Sequence, residues 1–243
     1  MKSSAKKFIL IANWKMGGSP KLVSEYLNNQ GLTSNDKVEI MLAPGALYCK
    51  EIAKTYKCLA QDVSYLAPEN VAATGELSCQ QYLSAGVKAS LVGHSECRAR
   101  RDHEVMLKSK LSNLINAQMQ VVYCIGEKQV SRNTGQTFAV LTAQLQNIKT
   151  FKPDNLIIAY EPVWSIGTGK VPSTKQITEV MEFVNDQLFQ YGYSVTKMPS
   201  VCYGGSVNAD NIAKISQIDG CSGVLVGRAS LDISMVKNMI SKV

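Results

Sequence analysis

The sequence predicts an α/β chain of a single domain, residues 1–243, folded as a closed (β/α)8 barrel of eight parallel strands. Three observations predict it. Short runs of β-branched and aliphatic residues recur eight times at a spacing of about thirty residues, the length of a strand-helix-strand unit. The runs are apolar nearly throughout, as strands are when both faces of a sheet are covered. Segments with apolar residues at helical spacing lie between them. An open doubly wound sheet is the competing arrangement, and eight strands in 243 residues favour closure.

The strand runs, in order, are FILIA (8–12), VEIMLA (38–43), KCLAQ (57–61), ASLVG (89–93), VVYCIG (121–126), LIIAY (156–160), SVCYGG (200–205) and GVLVG (223–227). Asp102 precedes a helical stripe of Leu107, Leu111, Leu114 and Ile115. Ser173 is placed to cap a helix whose apolar face is Ile177, Val180, Met181, Val184 and Leu188. Val236, Met239, Ile240 and Val243 keep the same period. No stretch reads as a linker, and the units match in pattern without repeating in sequence.

With 45% apolar and 19% charged residues, the composition is that of a globular protein. No apolar run approaches the ~20 residues that span a bilayer. Lys2, Lys6 and Lys7 precede only Phe8 to Ala12, shorter than the ~7 to 15 residue core of a secretory signal, so the expected location is the cytoplasm. Seven cysteines scattered without a C-x-x-C pair read as reduced thiols, with Cys58, Cys124 and Cys202 as small core residues in strand runs. The net charge of +7 is dispersed. Only Arg98, Arg100 and Arg101 cluster tightly, and no aromatic residues interleave with them to stack bases, so no nucleic-acid partner is expected.

Chemistry in such a barrel gathers at the C-terminal ends of the strands. Asn13 and Lys15 follow the first strand run, His94, Ser95 and Glu96 the fourth, and Glu161 the sixth. Singly, each has an ordinary explanation as a turn residue, a surface lysine or a structural histidine. Their coincidence on one rim makes them a candidate site, whereas His103, in a charged helix start, reads as solvated. A carboxylate at the edge of a core is costly unless it is solvated, paired or used. Glu161 begins EPVWSIGTGK, where stiff Pro162-Val163-Trp164 leads into a pliant glycine-containing loop and then Lys170-Val171-Pro172. That order reads as a base beside a hinged lid. Gly167 and Gly169, Gly204-Gly205-Ser206 and Gly227 let main-chain N–H groups approach an anion, and the loops after strands seven and eight are the usual phosphate position of this architecture. No Walker or Rossmann glycine motif is present, so a nucleotide is not implied.

NWKM, TGE, GHSE, CIGE, YEPVWSIGTGK, YGGSV and VGRASL, in order from Asn13 to Leu231, resemble the triosephosphate isomerase family. The resemblance implies a TIM barrel that interconverts dihydroxyacetone phosphate and D-glyceraldehyde 3-phosphate in glycolysis and gluconeogenesis, without cofactor or metal, usually as a homodimer. It implies Glu161 as the base that moves the proton, and His94 as a neutral donor to the substrate oxygens, a role for which this family is itself the standard example. It further implies Lys15 as the positive charge facing the oxyanion and Asn13 as a supporting donor. Backbone N–H groups of Gly167, Ser206, Gly227 and Arg228 match its phosphate grip. Glu96 matches a further carboxylate of the family and could equally be a local charge partner of Lys15 and His94.

Four positions depart from the family pattern. Cys97 stands where GHSERR has an arginine, AATGELS lacks an aromatic residue near Thr74, Asp62 stands where AQN is common, and Arg228 replaces the second glycine of VGGASL. The first two bear on a dimer, because Thr74, Gly75 and Glu76 resemble the loop that reaches a partner's site near Asn13 and Lys15. Two other readings are a catalytically weak homologue kept for binding or surface adhesion, and another phosphate-binding barrel isomerase, such as one acting on an aminated ribose phosphate. The set Asn13, Lys15, His94 and Glu161 argues against both.

Overall fold

The computed structural model describes residues 7–29, 32, 34–67, 72–168 and 170–243. Lys2, Lys6 and Gly169 lie outside the described residues. Eight parallel strands close into a barrel in sequence order: β1 (Phe8–Asn13), β2 (Val38–Ala43), β3 (Lys57–Ala60), β4 (Ala89–Val92), β5 (Gln120–Ile125), β6 (Leu156–Tyr160), β7 (Ser200–Tyr203) and β8 (Gly223–Val226). β8 returns to β1 with Ile9 opposite Gly223 and Ala12 opposite Val226, which excludes the open sheet.

Both faces of every strand are covered, so the period-two alternation sorts side chains between two apolar cores rather than between core and water. Ile9, Ile11, Met41, Ala43, Leu59, Ala89, Leu91, Val122, Cys124, Ile157, Ala159, Cys202 and Leu225 fill the barrel. Their neighbours, such as Leu10, Ile40, Tyr123, Ile158 and Val224, face the helices. Cys58, Cys124 and Cys202 are buried, as expected of small core residues.

The helices are α1 (Pro20–Leu27), α2 (Cys49–Ile52), α3 (Cys79–Ser84), α4 (Ser95–Arg100), α5 (Glu104–Asn116), α6 (Gln129–Asn133), α7 (Thr137–Leu145), α8 (Thr174–Gln190), α9 (Ile212–Ser216) and α10 (Ile233–Ser241). Ser173 caps α8 through a reciprocal pair with Gln176, and the five apolar residues expected on its inner face are all buried. On α5 the expected stripe is corrected at one place. Ile115 is exposed, while Lys110 is buried because two aspartates receive its ammonium group. Among the described residues, no helix is long and apolar enough to cross a membrane.

The inward register decides what crowns the barrel. Continuing the alternation two residues past the last inward apolar residue of each strand gives Asn13, Gly45, Gln61, Gly93, Gly126, Glu161, Gly204 and Gly227. The layer above the apolar core thus holds three functional side chains and five glycines. Space is left for a ligand because most positions carry no side chain.

Candidate active site

Asn13, Lys15, His94, Glu96 and Glu161 meet at this rim with Gly167, Ser206, Gly227 and Arg228, around a cavity of about 980 Å3. Of the polar residues expected at the rim, Ser95 does not line that space; it donates to Glu161 instead.

Glu161 occupies the next inward position after Ala159 and is 2% exposed. Its N–H donates to the Ile125 carbonyl at 2.7 Å, which holds the strand end against β5. Oε2 accepts the Ser95 N–H at 2.9 Å, and Oε1 accepts the Ser95 hydroxyl at 3.1 Å. His94 Nε2 lies 3.0 Å from Oε1. These donors offset the cost of burying a carboxylate. Two glycines make room for it. A Cβ on residue 126 would lie 1.8 Å from the Glu161 carbonyl oxygen, and one on residue 204 would lie 3.0 Å from Glu161 Cγ. The Cys124 thiol sits against the same carboxylate, and burial and that charge push it well above its ordinary pKa.

His94 caps α4, and its ring state follows from that position. The Glu96 N–H donates to Nδ1 at 3.2 Å, so Nδ1 is the acceptor and the ring proton sits on Nε2. A neutral imidazole with its N–H aimed along the rim results.

Lys15 is held in the left-handed region at φ +50°, a conformation that costs a non-glycine residue of order 1 kcal/mol and persists only when its surroundings enforce it. Asn13 Oδ1 accepts its N–H at 3.0 Å, and Gln61 Nε2 donates to its carbonyl at 2.8 Å and to that of Ala43 at 2.9 Å. So fixed, Lys15 Nζ lies 2.6 Å from Glu96 Oε1. Burial opposes ionisation of Glu96, but the hydrogen bond and charge of Lys15 hold its carboxyl below the usual value. Glu96 is therefore the local charge partner of Lys15.

The segment after Glu161 is tied at both ends. The Pro162 carbonyl accepts the Ser165 N–H at 2.8 Å and hydroxyl at 2.9 Å. Trp164 Nε1 donates to Glu127 Oε1 at 2.9 Å, and the Tyr160 hydroxyl donates to the same oxygen at 3.2 Å. The Arg132 guanidinium lies 5.6 Å from the centre of the Trp164 ring. Lys170 Nζ reaches Gln129 Oε1 at 3.0 Å. Between these anchors Ile166 and Gly167 border the cavity, Gly167 at φ +72°.

The opposite side is backbone. The N–H groups of Gly167, Ser206, Gly227 and Arg228 donate to no backbone or side-chain acceptor among the described residues. Unpaired N–H groups around a cavity are a place for anionic oxygens.

Cys97 and Asp62 belong to a separate ionic cluster. Lys110 Nζ lies 2.7 Å from both Asp62 and Asp102, and Arg101 also pairs with Asp62. Burial first, and then the two aspartates, push the Cys97 thiol upward. Among the described residues, Asp62, Cys97 and Asp102 have ligand atoms close enough to share a cation. The Lys110 ammonium already bridges the two carboxylates.

The sequence assigns no role to Gln61, nor to Gly126 and Glu127, which stand in the CIGE motif. The available signal was the inward register, which brings residues 61 and 126 to the crown. Glu127, one position further, turns outward to the hinge.

Comparison with known proteins agrees with this geometry. The family model for triosephosphate isomerase matches residues 8–243. The triosephosphate isomerase of Psychrobacter sp. (strain PRwf-1) is 39% identical, over 91% of this chain and 93% of that protein. Those of Thermodesulfovibrio yellowstonii and Ureaplasma parvum serovar 3 are 36% and 34% identical, over 93% and 96% of this chain and 95% and 98% of theirs. A match along this length, on a closed eight-stranded barrel with those residues at its rim, places the chain in the triosephosphate isomerase family.

Proposed function

We propose that this chain interconverts dihydroxyacetone phosphate and D-glyceraldehyde 3-phosphate through an enediolate, as a step of glycolysis and gluconeogenesis. The observation that carries the reading is one cavity walled by a carboxylate, an imidazole Nε2–H and an ammonium group on one side and, on the other, by four N–H groups without a partner among the described residues. The phosphate settles on the N–H groups of Gly167, Ser206, Gly227 and Arg228. Glu161 takes a proton from the carbon next to the carbonyl, and the electron pair moves onto the carbonyl oxygen. Lys15, the His94 Nε2–H and the Asn13 side-chain NH2 meet the negative charge that develops there. The hydroxyl proton passes to the former carbonyl oxygen, with the His94 Nε2–H giving a proton to one oxygen as the ring takes one from the other, Glu161 returns its proton to the neighbouring carbon, and the other carbonyl forms with no atom gained or lost.

Both Glu161 oxygens are already engaged, by Ser95 and by His94. Glu161 must therefore leave the Ser95 donors when substrate arrives. The tied segment after it closes over the bound triose, a gating step of which this family is a standing example, and keeps water from the enediolate, which otherwise expels its phosphate. We further propose a homodimer in which Thr74, Gly75 and Glu76 of one copy approach Lys15 of the other, a reading that mass and specific activity measured across dilution will check.

The test of the activity is direct. Given D-glyceraldehyde 3-phosphate in D2O, the chain forms dihydroxyacetone phosphate, read by a coupled reductase, and the product carries solvent deuterium because the proton passes through Glu161. Absence of turnover and of exchange, with phosphate still bound, overturns the reading in favour of a binding protein.

A further inference from the structure

We propose that the Arg228 side chain, and not only its backbone N–H, is a binding residue for the substrate's phosphate, and that it raises the preference of this site for doubly charged phosphate esters. The inference deepens the proposed function and rests on it. Arg228 opens the short turn Arg228–Leu231 just after β8, is exposed to solvent and borders the cavity. A Cβ on the preceding Gly227 would lie 3.4 Å from Lys15 Cε, so the main chain here runs beside the ammonium group.

What distinguishes Arg228 is that its charge is uncommitted. Lys15 is held by Glu96, Arg98 by the Gly93 and Cys124 carbonyls and Glu104, Arg101 and Lys110 by the aspartates, and Arg132 lies 3.7 Å from Glu127 and 3.9 Å from Glu179. Among the described residues, no hydrogen bond, ion pair or ring contact engages the Arg228 guanidinium. It is the cation of the cavity lining that remains free to take a ligand.

The charge balance of the lining makes that freedom consequential. With His94 neutral, the ionised side chains around the cavity are Lys15 and Arg228 against Glu96, Glu161 and Asp232, a net charge of −1. A phosphate dianion would enter an unfavourable field. Without Arg228 the lining would carry −2, and its remaining cation would be the lysine bound to Glu96. A guanidinium offers paired N–H donors that match two phosphate oxygens, and this one belongs to a residue whose own backbone N–H is part of the proposed phosphate cradle.

The test uses Arg228→Gly, Arg228→Gln and Arg228→Lys in the full chain, all of which keep the backbone N–H. Two quantities are read: the ratio of kcat/KM for D-glyceraldehyde 3-phosphate to that for unphosphorylated D-glyceraldehyde, and the dissociation constant of inorganic phosphate measured by calorimetry. For the glycine and glutamine variants we expect the ratio to fall about tenfold and phosphate to bind correspondingly more weakly, with lysine restoring part of both. An unchanged ratio and unchanged phosphate affinity overturn the proposal, as does an equal loss on both substrates, which would mark a structural role. Calorimetry needs no turnover, so it decides the role of the guanidinium even if the wild-type chain fails to isomerise, a result that would count against the proposed function alone.

Discussion

On the side of the rim built by the ends of β1, β4 and β6, charged groups already hold one another. Lys15 lies 2.6 Å from Glu96, and three donors converge on Glu161. On the side built by the loops after β6, β7 and β8, four N–H groups have no partner among the described residues. The difference follows from what each side must do. A reacting side chain in an empty site needs partners or its burial is too costly, and those partners must be exchanged for substrate. An amide N–H is neutral and bordered by an open cavity, so it can wait for a ligand. The first side should control kcat and the second KM, and each substitution below tests that division.

The largest effect is expected at the base. Glu161→Gln keeps the shape and the Ser95 contacts but cannot accept a proton, so kcat should fall by roughly three or more orders of magnitude, with phosphate affinity little changed. Retention of more than about a tenth of wild-type kcat, a barrier change under ~1.4 kcal/mol, removes Glu161 from the chemistry. A large loss of phosphate affinity in the same variant would break the division between the two sides.

How much of this was legible in the sequence differs between the two sides for a physical reason. Strand periodicity marks the eight strands to within two residues, because a strand buried on both faces must be apolar from end to end. The reacting side chains were visible as polar letters just past apolar runs. The N–H cradle has no letters of its own, and only the glycines that permit close approach betray it. Positioning residues were hardest. Gln61 ends an apolar run like any strand-end polar residue, and its two carbonyl partners, on Lys15 and Ala43, come from other strands. The burial of Lys110 on α5 was hidden likewise, since its partner Asp62 lies after β3.

Gln61 tests the reacting side without touching a reacting group. Gln61→Ala removes the donor that holds the Lys15 carbonyl, in a residue at φ +50°. The loop can then relax toward an ordinary conformation and carry the ammonium away from the oxyanion position. We expect kcat to fall about tenfold with KM nearly constant, and a stability loss of about 1 kcal/mol for the missing hydrogen bonds. A rise in KM at unchanged kcat would mean that Gln61 shapes the anion side instead.

The smallest effect concerns Glu127, which joins the two sides by anchoring Trp164 at the root of the segment that carries Gly167. Its side chain is buried, Oε1 accepts from Trp164 and Tyr160, and Oε2 has no partner among the described residues. Burial raises its pKa, with the N–H of its own backbone, Trp164, Arg132 and Tyr160 acting in the opposite sense. The folded chain therefore keeps this proton to a higher pH than the unfolded chain, in which a glutamate titrates near ~4.3. Between those two values the folded state binds more protons than the unfolded state, so stability falls as pH rises, and above the folded value the loss is complete. Glu127→Gln preserves an oxygen for Trp164 and Tyr160 but has nothing to titrate. The stability of the variant relative to wild type, from denaturant midpoints, should increase as pH is raised from about 4 toward 7. Parallel curves over that range would show that Glu127 is ionised at no cost in the fold. If kcat and KM at neutral pH also stay within about twofold of wild type, the hinge needs the oxygen that accepts the Trp164 N–H rather than the charge behind it. A rise in KM alone would show that the charge sets how the anion side closes.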